Sequence, residues 1–293
     1  MTLPQSPEQN SPEPINRVEE HLKAAIENFE LFYLGNKPKK RIHSVRVSLR
    51  RTLACFELFP ALNKEKRLKP IKRKATKTLE YLSELRDLDT FISFCKEQED
   101  PNSTILKLIS YSIKLRDKTI KRIRKKSFPT KFNKALRKIK PDTLVVIKQS
   151  ETQDVIQEAK RKVAQHKEKT ELHDLRLKVK DLSYLLDEVR QYYHKEIPVL
   201  NTLHDNQILL GNYHDLVSSK SYLKNISKKH AKKLSHKTIR QLLQLVNNQT
   251  DDTVKLWGKN WKKNLEQIQN FEVFRSAQGN KSTRKIRLAI SRD

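Results

Sequence analysis

His43-Ser-Val-Arg46-Val-Ser-Leu-Arg50-Arg51 returns, degraded, 130 residues later as His173-Asp-Leu-Arg176-Leu-Lys-Val-Lys180. In each copy a His is followed by a basic residue at +3 and another at +7. In an α-helix these positions share one face. Beside each line runs an apolar stripe: Ile42, Val45, Leu49, Leu53 and Phe56 in the first copy, and Leu172, Leu175, Val179, Leu182, Leu186 and Val189 in the second. Such stripes are the core faces of amphipathic helices. The chain therefore builds the same kind of helix twice, with a cationic line next to the face it buries.

The copies extend further. Arg86-Asp87-Leu88 follows the first motif, with Asp87 44 residues after His43; His214-Asp215-Leu216 follows the second, with Asp215 42 residues after His173. Two matched motifs at two matched spacings imply a duplicated, all-α fold of two pseudo-symmetric helical bundles packed as one compact unit. The expected divisions are a disordered segment over 1–14, a first half over 15–145, a second half over 146–275 and a basic tail over 276–293. The boundary falls in 141–150, which holds one short β-like run, Leu144 to Ile147.

Composition supports helices. Only four glycines occur in 293 residues. That scarcity excludes Gly-rich phosphate loops and dinucleotide fingerprints. Prolines divide the rest. Helices are expected from Ile15 to about Leu34, from Pro38 to Pro60, and in one or two pieces from Pro70 through Ile92. Others follow over 103–127, between Pro129 and Pro141, over 152–168 and over 171–193. The last run from Pro198 to about Gly211, from Asp215 to Lys224, and from Lys237 to Phe271. Trp257 and Trp261, at i and i+4, read as core. Cys55 and Cys95 have neither CxxC spacing nor a partner pattern, so no disulfide framework or metal site is expected. No apolar run approaches a membrane span, and no signal peptide is visible. The expectation is a cytoplasmic protein without membrane contact.

Sixty-two Lys and Arg stand against 34 Asp and Glu, a formal charge of +28. A field of that size draws polyanions. Two stretches concentrate it: Lys66 to Lys77 holds seven basic residues and no acid, and Lys114 to Lys140 holds thirteen against Asp117 alone. Half of these are expected to be solvated surface. Lys72, Arg73, Lys118 and Arg122 are the candidates for lining a binding surface. Asp87 and Asp215 read as ion pairs or caps orienting a motif Arg or His, because basic helices packed together need buried countercharge.

The segments IHSVRVSLRRTLACFELF (42–59) and LHDLRLKVKDLSYLLDEV (172–189) resemble the two signature helices of the CHAD family, the conserved histidine α-helical domain. LRDLDTFISF and LLGNYHDLVSSKSYL resemble the helix junctions that follow. The resemblance covers roughly residues 15–270. It implies two four-helix bundles around a basic groove or pore. It also implies non-catalytic binding of inorganic polyphosphate and, in some members, association with polyphosphate granules. By motif position His43, Arg46, Arg50, Arg51, His173, Arg176 and Lys180 correspond to the family's basic residues, and Tyr184 is retained. Leu53, Asp181 and Ser183 stand where the family favours basic residues, so the second half is expected to offer the weaker phosphate surface.

Arg suits such a ligand because its planar fork donates two hydrogen bonds to one phosphate. The rival readings are a nucleic-acid binder and a hydrolase of polyphosphate or triphosphate. Aromatics at 7% and the lack of a DNA- or RNA-reading motif weigh against the first; non-specific nucleic-acid attraction at low salt is still expected. The Glu-x-Glu-x-Lys strand of triphosphate-tunnel enzymes is absent, and Glu97-Gln-Glu99-Asp-Pro101 breaks it with proline. No cofactor is expected. Like charge depresses a His pKa, so His43 and His173 should be neutral until an anion arrives, and affinity should rise as pH falls from about 8 to 6.

Overall fold

The computed structural model describes residues 14–35, 38–98, 102–137, 139, 147–166 and 172–274. Among these the regular structure is helical, and no helix is long and apolar enough to cross a membrane. The expected β-like run and boundary lie largely outside the described residues, as do the lead-in before Pro14 and the basic tail.

In the first half, α1 (Pro14–Tyr33), α2 (Pro38–Leu58), a short α3 (Ala61–Lys64), α4 (Lys69–Lys96), α5 (Ser103–Arg124) and α6 (Phe128–Leu136) follow one another. The second half has α7 (Gln149–Ala164), α8 (Leu172–Tyr193), α9 (Val199–Lys229) and α10 (His236–Asn270). Prolines act as start signals: Pro70 sits in the first turn of α4, Pro129 in the first turn of α6, and Pro198 caps α9.

One expectation fails. Gly211 does not end a helix; α9 runs through it to Lys229. A Cβ built at Gly211 would meet nothing within 4 Å, so the glycine is neither a tight turn nor a close approach. Both flanks of α9 are fixed by packing on α8, α4 and α10, and tertiary burial outweighs the roughly 1 kcal/mol propensity cost of a glycine.

The two motif helices pack directly on each other, α2 against α8, while α4 packs on α9. Ile42, Val45 and Leu49 from α2 and Leu175, Val179 and Leu182 from α8 join one apolar core that continues through both halves. A second core gathers Phe91, Phe94, Cys95, Ile105, Leu108, Leu223, Ile226, Leu234, Ile239, Leu242 and Val246. It joins the far ends of α4 and α9 to the starts of α5 and α10. Trp257 is buried in the first core with Trp261 stacked on it at 5.2 Å.

A buried polar knot locks α1 to the motif helices. Glu188 of α8 is fully buried. Its Oε1 lies 2.8 Å from His21 Nε2, and its Oε2 accepts from Arg17 Nη2 at 3.0 Å and from the Cys55 thiol at 3.5 Å. Burial alone would push the Glu188 carboxyl up, but bonds from His21 and Arg17 more than offset it and hold the pKa below 4.5. The same burial, with the neighbouring Glu188 charge, pushes the Cys55 thiol well up. Three groups in this knot, His21, Cys55 and Glu188, have metal-ligand chemistry and lie within 4.8 Å of one another. The Arg17 guanidinium already occupies the carboxylate, so the knot carries its own countercharge.

Removing the carboxylate leaves the buried Arg17 with Glu20 as its one remaining charged partner, at 2.7 Å, and takes the acceptor from His21. Glu188→Ala should cost about 3–5 kcal/mol, read as a lower urea midpoint at constant slope. Because the folded carboxyl is more acidic than the unfolded one, this stabilisation is present above about pH 4.5 and is lost as pH falls further.

Candidate anion-binding site

The α2–α8 contact brings the two cationic lines together. Lys180 sits at their centre, close enough to Arg50, Arg176, Arg46 and Arg86 to feel all four. His43, at the solvent edge, feels Lys180, Arg46 and Arg86. Residues that lie 130 positions apart in the chain thus form one cluster, because each line lies beside an apolar stripe and the two stripes pack together.

The cluster divides into paired and unpaired cations. Arg51 bonds Asp187 of α8 at 2.8 Å. Arg46 donates to Ser83 Oγ at 3.2 Å, a neutral acceptor. Arg86 donates to Asp215, to Asp87 at 3.4 Å, and lies 3.1 Å from His214 Nδ1. Asp87 and Asp215 therefore hold the cluster in place as ion-pair partners, and both do so through Arg86. Burial would raise the Asp215 carboxyl, but His214 and Arg86 together hold it below its ordinary value.

Arg50, Arg176 and Lys180, by contrast, make no hydrogen bond or ion pair among the described residues. Arg176 is 6% exposed, and its Nε is buried with no acceptor. Burial, then the Arg86 charge, lowers its pKa to about 10; burial and then Arg50 do the same to Arg46. Lys180 suffers most: burial first, then Arg50, Arg176, Arg46 and Arg86, bring its ammonium down to about 6. Charge removed from water without a partner is costly, and three such groups sit together here, Arg176 buried and Arg50 and Lys180 half-buried.

His173 stacks on His214 with ring centroids 5.2 Å apart. Burial, then His214 and Arg176, lower its pKa; burial, then Lys180, Arg46 and Arg86, lower that of His43. Tyr184 and Arg50 line a cavity of about 60 Å³ with Leu53, Ala54, Glu57 and Asp181. Glu57 and Asp181 are exposed at its rim, and partial loss of water there holds both above their ordinary values, Glu57 also through Asp181. Leu53 and Asp181, at positions where the family resemblance favours basic residues, thus give this cavity an apolar and acidic lining.

The four further candidates lie apart from the cluster's centre. Lys72 bonds Asn63 Oδ1 at 2.9 Å and its charge reaches Glu57. Arg122 pairs with Glu84 at 2.7 Å, and Arg73 and Lys118 are exposed. Arg86 and His214 were not among the candidates. Their tripeptides had been singled out for the aspartates alone; a basic residue just before each aspartate was the available signal.

The CHAD domain family model matches residues 16–224. No curated protein matches the chain. The crystal structure of the CHAD domain from the plant Ricinus communis superposes with a TM-score of 0.56, over 87% of this chain and 90% of that one, at 14% identity. At that identity the likeness is one of fold.

A bound anion would return the Lys180 ammonium to its charged form, so binding takes up a proton wherever the free lysine is neutral. Affinity should fall as pH climbs above about 6 and level off below it. Calorimetry at pH 7.5 in buffers of different ionisation enthalpy should show net proton uptake that Lys180→Met removes. The same substitution should raise the Tm of the free protein, since the unfolded chain binds this proton between pH 6 and 10.5 and the folded one does not.

Proposed function

Because this chain belongs to the CHAD domain family, we propose that the convergent cluster binds inorganic polyphosphate and performs no reaction on it. The observation that carries this reading is the unpaired state of Arg50, Arg176 and Lys180, three cations on two helices with no acceptor among the described residues. A linear anion, carrying about one charge per phosphate, would satisfy all three in succession.

The spacing supports a linear ligand. Arg46 and Arg50 are four residues apart on α2, and Arg176 and Lys180 four apart on α8, about 6 Å along each axis. Two such rungs, facing across the helix contact, form a basic track that steps with every second or third phosphate. His43 and the His173–His214 stack extend it toward solvent, and Glu57 and Asp181 close its other end. On this reading the halves are a duplicated pair, with α2 matched to α8 and α4 to α9, and the groove runs along the seam between them.

The non-catalytic reading is supported by how the carboxylates around Arg86 and Arg51 are used. A phosphoanhydride hydrolase holds metal ions with carboxylates and positions a water. Here Asp87 and Asp215 are engaged by Arg86, and Asp187 by Arg51.

Titration calorimetry with long-chain polyphosphate tests the proposal. Arg50→Ala/Arg176→Ala/Lys180→Met should weaken binding at least a hundredfold at about 0.15 M salt while keeping wild-type helicity by circular dichroism. Unchanged affinity in a folded triple variant refutes it. Release of orthophosphate from polyphosphate and Mg²⁺ by the wild type would refute the non-catalytic half.

A further inference from the structure

Beyond residue 224 the chain leaves the span matched by the CHAD family, yet its charge does not fall. Between Leu216 and Thr250 there are eight Lys and Arg and no Asp or Glu. The end of α9, a 3-10 turn (Ala231–Lys233) and the start of α10 form a tight antiparallel hairpin, and it carries most of these charges. Lys224, Lys228, Lys229, Lys232, Lys233, Lys237 and Arg240 are all exposed.

None of these seven makes an ion pair among the described residues. Elsewhere on the surface lysines and arginines find carboxylates: Lys23 with Glu19, Arg161 and Lys162 with Glu158, Lys255 with Asp252. At the hairpin end no acid is available within the segment. Lys107 of α5 adds a further charge, its Nζ donating to Lys233 O at 3.2 Å.

The platform is firm. Leu223, Ile226, Leu234, Ile239, Leu242 and Val246 anchor the hairpin in the second core. The caps of α5 and α10 are cross-bonded. Asn102 caps α5 and donates to Thr238 Oγ1 at 3.3 Å, while Thr104 Oγ1 accepts from Ser235 N at 3.1 Å. The lysines therefore project from fixed backbone.

We propose that this hairpin end is a second anion-binding surface, separate from the α2–α8 cluster, and that it holds the phosphate backbones of double-stranded nucleic acid without reading sequence. Three observations choose that partner. The cations lie on two packed antiparallel helices and so form a broad patch rather than a single line, which can meet both phosphate strands of a duplex at once. The patch is built from exposed side chains, six lysines and Arg240, with none of the burial that marks the α2–α8 cluster. Aromatic rings at this end are already engaged, Tyr111 on His230 at 4.1 Å and Tyr222 on Phe91 at 5.7 Å, so they offer no platform for unstacked bases of a single strand.

The test is fluorescence anisotropy with a labelled 20-base-pair DNA duplex, from about 50 to 200 mM salt. Three folded proteins are compared: wild type, K228E/K229E/K232E/K233E, and R50A/R176A/K180M. A charge-neutral version, K228Q/K229Q/K232Q/K233Q, guards against misfolding of the first. The hairpin variants should bind at least tenfold more weakly, and the slope of log affinity against log salt should shrink by about three to four. The cluster variant should bind duplex as wild type does. Polyphosphate calorimetry on the hairpin variants should be unchanged, which separates this surface from the one proposed above.

Wild-type duplex affinity in the hairpin variants, or its loss in the cluster variant instead, overturns the proposal. So does loss of polyphosphate binding in the hairpin variants with duplex binding intact. Vesicles of phosphatidylserine and phosphatidylcholine supply the last arm: if hairpin charge is needed for sedimentation with them and not for duplex binding, the surface belongs to a membrane and the proposal is overturned.

Discussion

Two helices press cations against cations, and much of the molecule is organised around that repulsion. α2 and α8 meet through their apolar stripes, and the geometry of that meeting sets Arg46, Arg50, Arg176 and Lys180 beside one another. The apolar contact has to outweigh the repulsion. Burial of Ile42, Val45, Leu49, Leu175, Val179 and Leu182, each 2% exposed or less, contributes about 1.5–3 kcal/mol per side chain. The Glu188 knot adds a polar clamp from α1 on the same helix pair, with its own charges balanced.

Countercharge is then rationed by position. Arg51, one residue beyond Arg50, turns to Asp187, while Arg86 collects both Asp87 and Asp215. These pairs fix the frame of the cluster. They leave Arg50, Arg176 and Lys180 without acceptors among the described residues, and those are the groups that the proposed anion would meet. Fixing some charges with internal partners while leaving their neighbours unsatisfied is what separates this cluster from a surface that is merely basic.

The helical fold was legible because its signals are local. Apolar stripes at 3 and 4 spacing and prolines at helix starts need no tertiary knowledge, and they place nearly every element within a few residues. Gly211 misled because a glycine reads as a break only when nothing else holds the helix. The recurrence of His-x-x-Arg marked the residues that come together at the α2–α8 contact. It could not show that Arg86 gathers both aspartates, since that depends on α4 lying against α9. Nor could it mark Glu188, one more acid beside Val189 until α1 brings Arg17 and His21 onto it. The exposed positions of Arg73 and Lys118 carry the same lesson, for a basic run states total charge and leaves direction to packing.

The choice of lysine at position 180 follows from the same repulsion. Four arginines surround it, and none of them can give up its proton at ordinary pH. A fifth guanidinium there would fix another full charge in a half-buried site with no acceptor. A lysine whose pKa has fallen to about 6 instead sheds its proton, and the empty cluster is relieved of one charge. Were the proposed anion to enter, its oxygens would favour the ammonium, and the full field would be restored. On that proposal the central residue lets one packing arrangement serve both states, stable enough to fold without ligand and positive enough to hold one.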